Sequence, residues 1–211
     1  MATEKPQFVL AYDCDDVIVG DTAYRVVEYY KKIYGFEVDM KKFYGGPEDW
    51  GVSTLEEVGK RIEPFFREHG HELVKPDPEA VEAIRYLANH KEIDFESHIV
   101  TGRADFMAPH TYRMAEEYFP GIFHGIHHTN FNKYNSTTKG SVCRRIGALA
   151  LIDDHIAHCQ NVLEEGTPHA VVFGEHPWNE MKILPSSMVR GADWYVTPEE
   201  ILKIAKSRIE N

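Results

Sequence analysis

Residues Phe8 to Tyr12 (FVLAY) form an unbroken apolar run that ends abruptly at Asp13, Cys14, Asp15 and Asp16. Consecutive apolar residues cannot alternate between a core and a wet face, so the run reads as a strand buried on both sides. That is the pattern of a parallel sheet covered by helices. It recurs at Ser97 to Thr101 (SHIVT), Ala148 to Ile152 (ALALI), Ala170 to Phe173 (AVVF) and Trp194 to Val196, with helical spacing between the runs. Asp77 stands at the cap of a segment carrying Ala80, Val81, Ile84 and Leu87. Thr138 precedes another with Val142, Ile146 and Leu149, and Pro198, Ile201, Ile204 and Ala205 mark a closing helix. The expected fold is α/β, a three-layer Rossmann-like core around a parallel sheet.

Residues 20–75 separate the first strand from the Asp77 helix, far more chain than the ordinary connection of about 2 to 6 residues. Ala23, Val26, Val27, Tyr30, Ile33 and Tyr34 keep helical spacing, as do Leu55, Val58, Ile62, Phe65 and Phe66, with a Gly- and aromatic-containing loop between them. The insertion therefore reads as a small helical cap over 20–75, on a core made of 1–19 and 76–211. Val26, Tyr30, Phe65 and Phe66 belong to the interior of that hairpin by spacing. Phe43, Tyr44 and Trp50 fall in its loop, where an aromatic ring, Trp50 foremost, could stack on a planar ligand ring.

Lys and Arg number 23 against 34 Asp and Glu, a net charge of −11 that repels phosphate polymers and anionic lipid. A nucleic-acid polymer is therefore excluded as a partner. Three cysteines without a CxxC pattern point to neither a disulfide framework nor a zinc knuckle, and a reducing, cytoplasmic setting is expected. No apolar run has the length of an export signal or a membrane span.

Asp13, Asp15 and Asp16 follow the first strand directly, at the carboxyl edge where open α/β sheets bind ligands. A like-charged pair at ~4 Å costs about 4 kcal/mol at an effective dielectric near 20, and a divalent cation removes that cost. Hard oxygen donors suit Mg²⁺. Asp153 and Asp154 end a second run (ALALIDDH), so the two acidic clusters meet if their strands are neighbours. Thr101, Gly102 and Arg103 end a third, offering a hydroxyl, an open backbone N–H and a guanidinium to an anion. Lys139 begins a helix near the same edge. Asp154 could serve as outer metal shell, helix cap or partner of Lys139, and Arg103 as phosphate contact or structural ion pair. His127, His128, His155 and His158 show no zinc spacing and read as surface or satisfied core histidines. Cys14 reads as packing.

A strand followed by DxDxV at 13–17, a strand ending in Thr101, Lys139, and a strand followed by Asp153 and Asp154 resemble, in order, the four motifs of the haloacid dehalogenase (HAD) superfamily. The insertion point after the first motif resembles the C1-capped class. Phe173 to Asn179 (FGEHPWN), with the Trp50-Gly51 loop, resembles the 5′(3′)-deoxyribonucleotidase-like branch. The resemblance implies a phosphatase in which Asp13 is the nucleophile and Asp15 the general acid and base. It implies Mg²⁺ held by the Asp13 side chain, the Asp15 carbonyl and Asp153, with Asp154 beside them. Thr101, Gly102, Arg103 and Lys139 would bind the phosphoryl group of a small phosphorylated metabolite, with a nucleoside monophosphate the leading choice. Asp16 departs from the Gly common in that family, adding a charge and removing backbone freedom. Other readings are a phosphomutase, a dehalogenase, against which Asp15 argues because dehalogenation needs no acid there, and a non-catalytic protein that binds a phospholigand.

Overall fold

The computed structural model describes residues 5–130, 137–181 and 183–210; the first four residues, part of the stretch read above for an export signal, lie outside them. Six strands form one parallel sheet: β1 (Gln7–Tyr12), β2 (Asp94–Thr101), β3 (Phe123–His128), β4 (Ala148–Asp153), β5 (His169–Phe173) and β6 (Met188–Gly191), in the order β3-β2-β1-β4-β5-β6. The first strand is thus central. The chain first builds outward from β1 to β3, then returns to lay β4 on its other side, with Tyr12 opposite both Ile99 and Ile152. That reversal opens a crevice at the carboxyl ends of β1 and β4, the position at which doubly wound sheets take ligands.

Helices cover both faces. On one, α3 (Pro78–Ala88), α4 (Ala108–Tyr118) and α7 (Thr197–Glu210) bury Ile84, Leu87, Met114 and Ile201 against Leu10, Tyr12 and Ile99. On the other, α5 (Lys139–Ile146) and α6 (Ile156–Glu164) bury Val142, Cys143, Cys159 and Val162 against Ala11, Leu151 and Val172. Alternate residues of β1 serve opposite cores, which is why its sequence shows no polar alternation. Among the described residues no helix is long and apolar enough to cross a membrane.

The insertion carries α1 (Thr22–Tyr34) and α2 (Leu55–His69), with two short 3₁₀ turns between them. Tyr30 is fully buried at its centre, donates its hydroxyl to the Trp50 carbonyl at 2.7 Å and packs edge-on to the Trp50 ring. The two connections to the core run side by side, since the Asp77 N–H donates to the Ile18 carbonyl at 2.9 Å. A Cβ at Gly20 would lie 2.7 Å from the Asp77 carboxylate, so a larger residue there would push that side chain aside. Asp77 precedes α3 as expected, but its side chain caps no helical N–H.

The elements differ from the sequence reading in three places. Trp194 to Val196 is a turn, not a strand: the Asp193 carboxylate accepts from the N–H groups of Tyr195 and Val196. The sixth strand lies earlier, at Met188–Gly191. Trp194 instead donates Nε1–H to the Val17 carbonyl and packs its ring on Phe173. Leu149 lies in β4 rather than in the helix of Val142, because Gly147, at φ 68°, ends α5. The edge strand β3 (FHGIHH) carries no apolar run to mark it, since histidines supply the bulk that aliphatic residues supply elsewhere.

Candidate active site

Asp13 directly extends β1, its N–H donating to the Ile152 carbonyl of β4 at 2.9 Å. The neighbouring strands thereby bring Asp13 and Asp153 to one edge. Lys139 opens α5, and its Nζ lies 2.7 Å from Oδ2 of Asp13 and 2.7 Å from Oδ2 of Asp153. All three side chains are buried. The other Asp13 oxygen accepts from the Cys14 N–H at 2.7 Å. Oδ1 of Asp153 accepts from the His155 N–H at 2.9 Å and meets Nδ1 of His158 at 3.2 Å.

Burial raises the Asp13 carboxyl, and the adjacent Asp153 charge adds to that against the pull of Lys139. For Asp153 burial acts the same way, but Lys139 and His158 outweigh it and hold the group below the usual carboxylate range. Two buried carboxylates thus share one ammonium.

The next residues fold back at once. Ile18 and Val19 donate to the Cys14 carbonyl, and Asp16 sits in the left-handed region at φ 57°. Asp16 turns away from Asp13 to accept from the Ala23 N–H at 3.0 Å in the first turn of α1. This accounts for the extra carboxylate: Asp21 caps that helix with no side-chain bond, and Asp16 supplies one from outside. Cys14 is fully buried in the core.

Asp15 is gripped. Nε and Nη2 of Arg103 donate to its two oxygens at 2.8 and 2.7 Å, and the Thr22 hydroxyl adds a contact at 3.1 Å. Burial alone would raise this carboxyl; the guanidinium more than offsets it, and the group is held below its ordinary value. Thr101 is buried at the end of β2 and its hydroxyl accepts from the Arg103 N–H at 3.3 Å. Gly102 is half-buried beside it.

Asp154 belongs to a different set of contacts. Its Oδ2 accepts from the Trp178 indole at 2.8 Å and from the Tyr44 hydroxyl at 3.4 Å, so Lys139 does not partner it. Its buried Oδ1 has no hydrogen-bond partner among the described residues. Burial and the charges of Asp153, Asp13 and Asp16 push this carboxyl well above its ordinary value. Asn179 fixes the same corner by donating to the carbonyls of Asp154 and Phe173.

The crevice thus joins Asp13, Asp153 and Lys139, with Asp154 alongside. Trp50 does not reach it: only 3% exposed, its ring packs on Tyr30 and Phe43 and its indole donates to the Phe43 carbonyl, leaving no free face for a base. The loop ring that does arrive is Tyr44, stacked on His155 at 3.8 Å. The sequence gives His158 no zinc spacing, yet its ring is one of three groups, with Asp13 and Asp153, whose ligand atoms lie within 4.8 Å of one another. The signal was its place in the first turn of a helix beginning just after the acidic strand end, since helical side chains lean toward the N-terminus and back over that end.

The donor set fits a hard divalent cation. Asp13 and Asp153 offer carboxylate oxygens that converge, together with the His158 ring, within 4.8 Å, and on the adjoining residue the buried Oδ1 of Asp154 has no hydrogen-bond partner among the described residues.

No protein-family model matches the sequence, and no curated protein matches it. Solved structures do. A haloacid dehalogenase-like hydrolase from Xanthomonas campestris superposes with a TM-score of 0.61 at 12% identity, covering 99% of this chain and 100% of its own. A predicted phosphoglycolate phosphatase from Haemophilus somnus gives 0.60 at 12%, covering 96% and 99%. A HAD hydrolase from Bacillus subtilis, described as bound to magnesium, gives 0.55 at 17%, covering 96% and 100%. The fold of this chain is that of the HAD-superfamily hydrolases, a group whose solved members include both phosphatases and dehalogenases.

Proposed function

We propose that this protein is a magnesium-dependent phosphomonoester hydrolase working through an aspartyl phosphate on Asp13. The observation that carries the reading is the position of Lys139, 2.7 Å from both Asp13 and Asp153. A nucleophile-bearing strand end, an acidic strand end and a cation from a third segment meet where a phosphoryl group would be attacked.

In the first half-reaction an Asp13 oxygen attacks phosphorus as the ester P–O bond breaks, and Asp15, which must first leave the Arg103 fork that keeps it ionised and take up a proton from solvent, gives that proton to the leaving alkoxide. In the second, Asp15 takes a proton from water whose oxygen attacks phosphorus. The bond to Asp13 breaks and inorganic phosphate leaves. Both groups return to their starting protonation. Thr101, the Gly102 N–H and Lys139 are the donors for the phosphoryl oxygens in transit. Asp13, Asp153, the Asp15 carbonyl and Asp154 would hold magnesium, which when bound supplies the positive charge that lets a dianionic phosphate approach these carboxylates.

The substrate class is a small phosphorylated metabolite, and nucleoside monophosphates head the panel because Tyr44 brings an aromatic ring to the crevice. Asp15 favours hydrolysis over dehalogenation, which needs no proton donor at that position.

Phosphate release from p-nitrophenyl phosphate with magnesium tests the reading. Asp13→Asn is expected to lower the rate by at least about a thousandfold, and EDTA to abolish it. Equal rates for the two proteins, or turnover unaffected by EDTA, would overturn the proposal. Nucleoside monophosphates against sugar phosphates then decide the substrate.

A further inference from the structure

Arg103 is spent on contacts that no phosphate could use without breaking them. Its side chain is 1% exposed. Nε and Nη2 hold both oxygens of Asp15, Nη1 reaches the Thr111 hydroxyl at 3.3 Å, and Nη2 also donates to the carbonyl of Leu73 at 3.0 Å. Leu73 lies on the segment by which the insertion returns to the core, four residues before Asp77. Thr22, the third donor to Asp15, is the first residue of α1, on the outgoing side. One carboxylate is therefore held from the entry of the insertion through Thr22 and from its exit through Arg103.

We propose that Arg103 is a positioning residue that ties Asp15 to the returning linker of the insertion, so that release of Asp15 for proton transfer and displacement of that linker are one coupled event. The inference rests on the phosphatase reading for the role of Asp15, and on geometry alone for the tie. Three donors occupy the two Asp15 oxygens, so neither can face a leaving group until the fork opens. Those bonds are charge-assisted and bidentate, the strongest and most directional kind available to Arg. Turning Asp15 away leaves the guanidinium anchored only to Thr111 and Leu73. By reciprocity, moving Leu73 weakens the hold on Asp15 by the same free energy.

Hydrogen exchange reads the tie without any activity. The Leu73 N–H donates to Gly70 and the Asp77 N–H to Ile18, and Asp15 figures in neither bond. In Asp15→Ala, exchange at these two amides is expected to quicken by about tenfold, while amides within β4 stay unchanged. Unaltered exchange at Leu73 and Asp77 overturns the coupling.

Kinetics supply the second arm, with p-nitrophenyl phosphate, whose leaving group departs as a stabilised anion, against β-glycerophosphate, whose alkoxide needs a proton. Arg103→Gln opens the fork for good but leaves Asp15 with no tie to place it when the linker moves, and is expected to lower kcat for the alkyl ester by about 100-fold and for the aryl ester by far less, with KM unchanged, and adding Asp15→Ala should cause no further loss. Arg103→Lys, which cannot fork, should behave similarly. A rise in KM with kcat intact marks Arg103 as a phosphate contact and overturns the proposal. An equal fall for both esters that adds to the Asp15→Ala loss marks a purely structural role and also overturns it. If the unmodified protein hydrolyses neither ester, the phosphatase reading fails and exchange at Leu73 and Asp77 decides the tie by itself.

Discussion

Lys139 and Arg103 are both buried cations at one sheet edge, yet they do opposite mechanical work. Lys139 binds two carboxylates that belong to adjacent strands of the core, Asp13 and Asp153, and every partner in that set is fixed to the same rigid sheet. Arg103 binds a carboxylate on a turn, a hydroxyl on α4 and a carbonyl on the linker of the insertion. The first arrangement holds charge in place before substrate arrives, the condition for electrostatic catalysis. The second spans parts able to move against each other. Exposure follows the same division: the Asp153 side chain is 0% exposed and the Asp15 side chain 23%.

The largest effect that tests this contrast is on stability. Lys139→Met leaves two buried carboxylates without their ammonium and is expected to destabilise the protein by about 3–5 kcal/mol in magnesium-free buffer, measured by urea unfolding. Arg103→Met should cost less, because Asp15 can rehydrate. A larger loss for Arg103→Met would break the distinction between a sealed and an openable pair.

Magnesium comes next. Free cation at about 100 times its Kd should add about 2.7 kcal/mol, a rise in Tm of roughly 5–10 °C for a chain of this size. Calorimetry should show the rise lost in Asp153→Asn and largely kept in Asp15→Ala, since the Asp15 side chain faces Arg103. The reverse ranking would move the cation to the other pair.

A smaller effect concerns Asp154, which joins core to insertion through Trp178 and Tyr44. Trp178→Phe removes a 2.8 Å donor to a buried carboxylate and should lower stability by about 1.5–3 kcal/mol. Tyr44→Phe, removing a 3.4 Å contact, should lower it less. Urea melts that ranked the two the other way would make Tyr44 the principal anchor.

The parts legible in the sequence were those that local pattern dictates. Apolar runs ending in Asp13, Thr101 and Asp153 marked strand tips, because strands buried on both faces have no other sequence signature. The meeting of Asp13 with Asp153 followed once β4 took its place beside β1. What stayed hidden depends on tertiary choice. The Asp15–Arg103 fork spans 88 residues, and either residue alone has several plausible partners. Trp50 and Tyr44 sit in one loop with similar chemistry, and only the packing of Tyr30 decides which ring is consumed inside. The edge strand β3 reads as polar because His98 and His127 stack in the space left by Gly125.

The smallest effect separates two adjacent carboxylates. Burial, reinforced by the Asp15 charge, pushes Asp16 well above its ordinary value, whereas the Arg103 guanidinium holds Asp15 below its own against the same burial. Asn at position 16 keeps the acceptor for the Ala23 N–H and tolerates φ 57°, while removing the buried charge. Asp16→Asn should therefore raise Tm at about pH 7, and the gain should vanish only below about pH 3, where the native group is protonated in folded and unfolded chains alike. Asp15→Asn should do the opposite: it loses stability at about pH 7, and the loss fades only as pH falls below about 3.9 toward the depressed folded value. Thermal melts of both variants across that range give slopes of opposite sign if one carboxylate caps α1 and the other is clamped. Slopes of the same sign would mean that the Arg103 fork does not hold Asp15 in solution, and the contrast between the two buried cations would lose its movable half.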